Sequence, residues 1–327
     1  MWLSRYTPGV VLAVAALALG SRPAQPRNPA TTTAVPVEIV VTVGAYHGND
    51  VPAVSREDVM VYQGRERDEV KDWIALQGDR AKLELFVLLD DASRANFGAQ
   101  LEDLRKFINA QPATISVGLG YMRNGVVDIA ERFTTDHTKV ANLARIPLAE
   151  AGASANPYLS IVDVIKRWPT DSVGHQVLMN RWPDVPVRHE ILVISDGIDR
   201  SGRTGIANPY VDQAIVEAQR AGVIIYTIYA RGVGLYGRSI WRINWGQSYL
   251  SQVAEETGGE SFYLGSETAV SFTPYLDDIN RRLSHQFLLA FFAKPEKTAG
   301  LQRIKLKTEV PNAELVAAEK VYVPAAL

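Results

Sequence analysis

The chain has 327 residues, which is enough for one large domain or for two domains of ordinary size. Apolar residues make up 47% of it and charged residues 21%, which excludes wholesale disorder and a fibrous repeat. The formal net charge of -2 leaves no basic excess to bind a phosphate backbone, so nucleic acid is not an expected partner. The absence of cysteine excludes thiol catalysis, thiolate metal sites and disulfides.

The first twenty residues have the pattern of a secretory signal peptide. Arg5 precedes an apolar stretch over residues 9–20, which ends in the small-residue triplet Ala18-Leu19-Gly20. An uncleaved anchor is the alternative, but the stretch is shorter than the ~20 apolar residues that a spanning helix needs. We therefore predict an extracytoplasmic protein, secreted or periplasmic, with no transmembrane span in the mature chain. Residues 21–35, rich in Pro, Ala and Thr, are predicted to be a flexible leader.

Residues 36–80 are predicted to form a small all-β segment. Every second residue from Val37 to Val43 is apolar, which is the period of a half-buried strand. Shorter strands are predicted at 59–62 and 70–75, separated by turn residues. Residues 297–327 return to the same alternation. The two end segments are predicted to pair as one accessory all-β unit.

Residues 81–296 are predicted to be an α/β domain. Four stretches are almost continuously apolar, as strands buried on both faces are: 83–89, 191–195, 223–229 and 287–293. Further strands are predicted at 115–121 and 126–133. The pairs Asn156-Pro157 and Asn208-Pro209 are typical helix starts, with Asn as the cap and Pro in the first turn. This alternation predicts a Rossmann-like, mostly parallel sheet with helices on both faces.

Carboxylates and hydroxyls follow the ends of the predicted strands. The first strand ends in Asp90-Asp91-Ala92-Ser93, the strand at 191–195 ends in Ser195-Asp196-Gly197-Ile198-Asp199, and Gly152-Ala153-Ser154 lies in a loop before a helix. Ligands of open α/β sheets bind at the carboxyl ends of the strands, and oxygen ligands of this kind suit Mg²⁺. The sequence therefore predicts a metal-capable site. The alternative is that Asp91 and Asp196 cap the helices that follow their strands.

These motifs resemble the metal site of the von Willebrand factor type A (VWA) domain, and within that family its secreted bacterial members with a short β region on each side. The family uses Asp-x-Ser-x-Ser after the first strand, a Thr in a middle loop and the Asp of a strand-end Ser-Asp-Gly. The resemblance covers about residues 83–293. It implies that Mg²⁺ (or Mn²⁺ or Ca²⁺) is bound by four residues: Asp91, Ser93, Ser154 and Asp196. It also implies that an acidic group of a partner protein completes the coordination.

Two departures from the family pattern bear on this site. Ala95 replaces the third serine of the motif, and Ser154 replaces the threonine. A lost hydroxyl ligand weakens such a site, although water can take its place. The departures imply a partly degenerate site that is either weak or metal-free.

The segment 231–249 is rich in aromatic and arginine side chains, which are the usual anchors of protein interfaces. Because it follows a predicted strand, it is expected to be a loop on the same face of the sheet as Asp91 and Asp196. The residues predicted to bind a partner are Tyr236, Trp241, Arg242 and Trp245. Folding of the tryptophans back onto the protein as a local lid is an equal alternative.

The sequence as a whole predicts a secreted binding module, of the adhesion type, that presents a divalent ion to a partner protein. A metal-free scaffold or interaction protein of the same fold is the first alternative. A metal-dependent hydrolase is the second, and it is disfavoured because no histidine, lysine or spare carboxylate stands beside the strand ends with the spacing of a catalytic base. We therefore expect a protein that is not an enzyme.

Overall fold

The computed structural model describes residues 34–91, 98–148, 156–168, 187–201, 208–232 and 239–325. The predicted signal peptide and nearly all of the predicted leader lie outside these residues. The helices are α1 Gly98–Asn109, α2 His137–Leu143, α3 Pro157–Arg167, α4 Pro209–Ala221, α5 Ile240–Thr257 and α6 Thr273–Ser284. The strands up to the end of the α/β sheet are β1 Val35–Ala45, β2 Met60–Gln63, β3 Glu66–Ala75, β4 Leu83–Asp90, β5 Ile115–Arg123, β6 Val126–Thr134, β7 Arg188–Ser195, β8 Val223–Tyr229 and β9 Ser261–Phe262. The remaining strands are β10 Gln286–Ala293, β11 Gly300–Arg303, β12 Lys305–Lys307, β13 Ala313–Val316 and β14 Lys320–Val323.

A six-stranded α/β sheet has the order β6-β5-β4-β7-β8-β9. All neighbours are parallel except β5 and β6, which form an antiparallel pair at one edge. Leu85, Val87 and Leu89 point to the face covered by α1, α2 and α6, whereas Phe86 and Leu88 point to the face covered by α3, α4 and α5. The predicted mostly parallel sheet with helices on both faces is confirmed.

The start of α3 and that of α4 follow the predicted cap chemistry. The Asn156 side-chain oxygen accepts a hydrogen bond from the Leu159 N–H over 2.9 Å, and Asn208 accepts one from the Tyr210 N–H over 3.0 Å. A proline occupies the first turn of each helix. Each cap therefore fixes the residue at which its helix begins.

A second six-stranded sheet is antiparallel throughout, with the order β12-β2-β3-β10-β1-β13. Val41, Leu289 and Phe291 are fully buried on one of its faces, in a core of its own. Its strands come from two parts of the chain, residues 35–75 before the α/β sheet and residues 286–316 after it. The small pair β11-β14 adds Val321 and Val323 to the same core.

The strand at 287–293 does not belong to the parallel sheet in which the sequence placed it. As β10 it runs antiparallel between β1 and β3, so the second sheet is not made of the N- and C-terminal segments alone. Both faces of β10 are buried: Leu289 faces the core of its own sheet, while Gln286 hydrogen-bonds Tyr226 of the α/β sheet. An unbroken apolar run indicates a strand that is buried on both faces, but it does not indicate which sheet the strand joins.

Within the part of the chain that the structure describes, no helix combines the length and the apolar character needed to cross a membrane.

Candidate functional site

The ends of β4 and β7 bring several aspartates to one edge of the α/β sheet, the carboxyl edge. The two strands are parallel neighbours, so the segments that follow them leave the sheet side by side. β4 ends at Asp90 and is followed by Asp91, while β7 ends at Ser195 and is followed by Asp196. The Ser195 hydroxyl donates a hydrogen bond of 2.7 Å to the Asp90 carboxylate, which ties the two strand ends together.

Asp91 is held by an arginine of the segment that follows α2. The Arg145 guanidinium donates two hydrogen bonds to its carboxylate, of 2.7 and 3.0 Å, and the Leu148 N–H donates a third of 2.8 Å. Burial alone would raise the pKa of Asp91, but these donors outweigh it and hold the pKa below its ordinary value. Asp91 is therefore ionised at neutral pH and is already bound to a cation of its own chain.

Asp196 and Asp90 share a different arginine. The Arg200 guanidinium forms an ion pair with the Asp196 carboxylate and lies 3.6 Å from Oδ2 of Asp90. The Arg200 side chain is only 9% exposed, Asp196 is 3% exposed and Asp90 is fully buried. Burial raises the pKa of Asp196 to about 6, with the Arg200 charge opposing this shift and the Asp90 charge adding to it. The edge thus contains a buried cluster of two carboxyl groups and one guanidinium.

The turn after β7 is also tied to the helices around it. Asp199 accepts hydrogen bonds from the N–H and hydroxyl of Ser201, and from the side-chain amide of Asn208, the cap of α4. Tyr158 of α3 donates its hydroxyl to the Gly197 carbonyl over 2.6 Å. The aspartates of this turn are therefore satisfied by neighbours from the same chain.

α5 lies directly against the turn after β7. A Cβ on Gly246 would stand 2.1 Å from the carbonyl oxygen of Asp196, and a Cβ on Gly197 would stand 2.3 Å from the carbonyl oxygen of Gly246. Gly197 also has a left-handed φ of 69°, which L side chains rarely adopt. Glycine at both positions lets the two backbones touch, and this contact places the start of α5 beside Asp196.

The aromatic segment is in part a helix, not the loop that the sequence predicted. α5 begins at Ile240, and Tyr236 lies outside the described residues. Three of the predicted partner-binding residues lie in the first two turns of α5: Trp241, Arg242 and Trp245. Trp241 is 69% exposed, and the other two are partly buried. These turns bury only Ile243 and Gly246, which is too few positions for an apolar period to be visible in the sequence.

Most of the exposed large apolar side chains border the carboxyl edge. Among the described residues eleven such side chains are exposed, and nine of them belong to the hairpin between β5 and β6, the segment that includes Arg145, the start of α5, and the segment between β9 and α6. These nine, hereafter the apolar rim, are Val126, Leu143, Ile146, Leu148, Ile240, Trp241, Tyr263, Leu264 and Val270. The last segment is held at the edge by Gln100 of α1, which donates to the Val270 carbonyl over 3.0 Å.

The described part of the predicted metal site does not fit a divalent ion. Asp91 and Asp196 are each paired with a different arginine. Over the described ranges, no group of three or more histidine, aspartate or glutamate side chains is arranged to hold a metal. Ser93 and Ser154 lie outside the described residues, so the four-residue site as a whole stays a prediction.

Sequence reasoning missed both arginines of the edge. Arg200 stands only four residues after Asp196, but residues 196–200 form no helix, so the spacing by itself did not predict the pair. Arg145 had no local signal, because 54 residues separate it from Asp91 and the contact depends on the path by which α2 returns to the edge.

Comparison with known proteins gives structural similarities only. No protein-family model matches the sequence, and no curated protein matches it either. An aerotolerance-related membrane protein from Bacteroides fragilis NCTC 9343, with multiple mutations to serines, has 14% identity and a TM-score of 0.41, covering 62% of this chain and 98% of that one. The SpRpn10 VWA domain has 12% identity and a TM-score of 0.36, covering 61% and 95%. The human COPII-coat protein Sec24c has 10% identity and a TM-score of 0.41; the match covers 75% of this chain but only 44% of that one.

The sheet itself defines the class of fold. Numbered within the α/β sheet, its strands have the order third, second, first, fourth, fifth, sixth, which is that of doubly wound α/β folds. The third strand is antiparallel to the rest. The fold is therefore of the Rossmann-like α/β class that the sequence predicted.

Proposed function

We propose that this protein is a binding module that takes up a partner protein at the carboxyl edge of its α/β sheet. The observation that supports this most is the apolar rim, because nine of the eleven exposed large apolar side chains of the described residues gather there. Single exposed apolar residues need no explanation, whereas a concentration of them marks an interaction surface. Open α/β sheets also bind their ligands at this edge.

The chemistry of the rim favours a protein as the occupant. Trp241 is exposed, and Arg242 adjoins it; tryptophan and arginine are the residue types that most often dominate binding at protein interfaces. The aspartates behind the rim are buried and paired, so the partner is expected to present an apolar patch to the rim. An acidic group on the partner remains a prediction that depends on the metal ion. The formal net charge of -2 disfavours nucleic acid.

We place this function outside the cytoplasm, secreted or periplasmic. The support is the sequence of residues 1–20, with a basic start, a short apolar stretch and small residues at its end.

A metal-dependent hydrolase is the less favoured alternative. Such an enzyme needs an ion bound by several side chains and a group able to move a proton beside it. The carboxylates of Asp91 and Asp196 are instead neutralised by arginines. We therefore propose a role in binding and not in catalysis.

The test is to replace a side chain of the rim and to compare partner capture with stability. Trp241→Ala is expected to weaken capture from the exported fraction by about 2 kcal/mol or more, roughly thirtyfold in Kd. Because Trp241 is 69% exposed, the melting temperature is expected to stay close to that of the parent.

Tyr46→Ala is the matched control, because Tyr46 is an aromatic residue with 64% exposure that directly follows β1 of the second sheet, outside the rim. It is expected to leave both capture and stability unchanged. Equal loss of capture in both variants would place binding elsewhere. A large fall in melting temperature with full capture in Trp241→Ala would show that this tryptophan is structural.

A further inference from the structure

We infer that two arginines of this chain, Arg145 and Arg200, take the place of a divalent ion at the carboxyl edge. A metal ion at the end of such a sheet neutralises and positions carboxylates that would otherwise repel one another. Here two guanidinium groups do both. The edge is therefore organised without a metal.

Arg145 is held in place by contacts with Asp91 and with Tyr121. Besides its two hydrogen bonds to Asp91, its guanidinium carbon lies 3.8 Å from the centroid of the Tyr121 ring. The Tyr121 hydroxyl accepts a hydrogen bond of 2.8 Å from the Arg145 N–H and donates one of 2.9 Å to the Leu143 carbonyl. Arg145 is thus fixed through its backbone, its ring contact and its charge. A planar guanidinium that binds a carboxylate through two nitrogens is the strong form of this ion pair.

Arg200 is the more deeply buried of the two cations. It lies between the carboxyl groups of Asp90 and Asp196, and no side chain of the three is more than 9% exposed. A divalent ion on these carboxylates would have to displace Arg200 and leave a buried guanidinium without its counter-charge. Such an uncompensated buried charge is strongly unfavourable. The positions of Arg145 and Arg200 therefore disfavour a divalent ion both at Asp91 and between Asp90 and Asp196.

One consequence rests on the proposed function. If a partner docks at the carboxyl edge, its docking is independent of divalent ions. The apolar rim lies at the same edge of the sheet as the aspartates, and apolar contacts need no charge. Capture by the full chain is expected to be equal in excess EDTA and in saturating Mg²⁺.

The direct test is metal titration of the unmodified protein. Calorimetry with Mg²⁺, Mn²⁺ and Ca²⁺ is expected to show no saturable binding, and the melting temperature is expected to be the same in EDTA and in Mg²⁺. Saturable binding of any of the three ions would overturn the inference. The titration needs no partner, so a failure to capture one would count against the proposed function alone.

A variant series tests the role of Arg200. Arg200→Met keeps a long side chain but removes the charge, and it is expected to lower the melting temperature by several degrees in EDTA. Arg303→Met is the matched control, because Arg303 is 71% exposed and pairs with Glu319 at the surface. It is expected to melt like the parent. An Arg200→Met protein that also melts like the parent would overturn the inference.

A double variant keeps the test decisive if Arg200→Met does not fold. In Arg200→Met with Asp196→Asn one positive and one negative charge are removed together, so the buried cluster is no longer left with two unopposed carboxylates. This protein is expected to be more stable than Arg200→Met alone. No recovery would show that Arg200 does not act by neutralising Asp196.

Discussion

At the scale of single residues, β7 carries two neighbouring ionisable side chains to opposite sides of the sheet. Glu190 is fully buried, and burial raises its pKa to about 7, with the nearby Arg188 charge opposing the shift. His189 packs against the Trp168 ring, with centroids 5.2 Å apart. Burial lowers the pKa of His189 to about 4. The Glu84 Oε2 lies 3.5 Å from the His189 Nε2.

The two residues are expected to oppose each other in the pH dependence of stability. Glu190 keeps its proton up to about pH 7 in the folded protein but loses it near pH 4.5 when unfolded, so its contribution falls as pH rises between these values. His189 stays neutral down to about pH 4 when folded but is protonated below pH 6.5 when unfolded, so its contribution rises over nearly the same range. Each contribution amounts to about 3 kcal/mol in the free energy of unfolding.

Single variants separate the two effects. Glu190→Gln removes the falling contribution, so its free energy of unfolding is expected to increase with pH relative to the parent between pH 4.5 and 6.5. His189→Phe removes the rising one and is expected to do the opposite. Urea unfolding at a series of pH values measures both slopes. Identical slopes in the parent and the two variants would contradict the assignment.

At the scale of elements, the contact between α5 and the turn after β7 has no room for a methyl group. In Gly246→Ala the new Cβ would stand 2.1 Å from the Asp196 carbonyl oxygen, so the helix must move away. We expect the free energy of unfolding to fall by about 1–3 kcal/mol. Alanine favours a helix over glycine, so helix propensity cannot explain such a loss.

Gly300→Ala is the control for this substitution, since a Cβ there would meet nothing within 4 Å. Its free energy of unfolding is expected to stay within about 0.5 kcal/mol of the parent. Urea denaturation measures both variants. An equal loss in the free energy of unfolding for Gly246→Ala and Gly300→Ala would show that glycine at position 246 is not required for the close packing of α5 on the turn.

Which elements the sequence could predict depends on whether their signal is local. α3 and α4 were predictable from Asn-Pro pairs because a cap acts within one turn. The buried strands β4, β7 and β8 were predictable from unbroken apolar runs. β10 has the same kind of run, but its membership of the second sheet depends on pairing with β1 and β3, which are distant in sequence. The start of α5 was not predictable, because its first two turns bury only Ile243 and Gly246 and so show no apolar period in the sequence.

The candidate site was also predictable only where its signal is local. That Asp91 and Asp196 lie at one edge followed from the rule that parallel strands finish at the same end of a sheet. What each carboxylate binds did not follow, because Arg145 approaches from a segment 54 residues away. The exposure of the rim is also a property of the folded surface, since equally apolar residues of β4 are fully buried.

At the scale of the whole molecule, buried hydrogen bonds join the two sheets. The Arg188 guanidinium of β7 donates to the carbonyls of Leu283 and Ala81 over 2.9 and 2.8 Å, and it also donates to the Gln286 side chain at the start of β10. Gln286 in turn donates to the Tyr226 hydroxyl over 3.3 Å. Both sheets belong to one compact unit. The two sheets are therefore expected to unfold together.

A cavity in the second sheet tests this coupling. Leu289 of β10 is fully buried, and Leu289→Ala is expected to lower the free energy of unfolding by about 2–5 kcal/mol. Hydrogen exchange is expected to show that the most protected amides of β4 lose the same free energy as those of β10. Val270→Ala is the control, because Val270 is 88% exposed, and it is expected to change neither strand. Unchanged protection in β4 would mean that the sheets unfold separately.

During synthesis, the α/β sheet can form before the second sheet, because the second sheet needs strands from both ends of the chain. The α/β sheet uses strands between residues 83 and 262, so it is complete in sequence well before the second sheet, in which Val35 must pair with Ala293. Closing so long a loop is slow, and β1 has no partner until β10 has been made. A chain that stalls before residue 286 therefore carries a long strand with unpaired backbone groups, and such a strand is a template for pairing with a second chain.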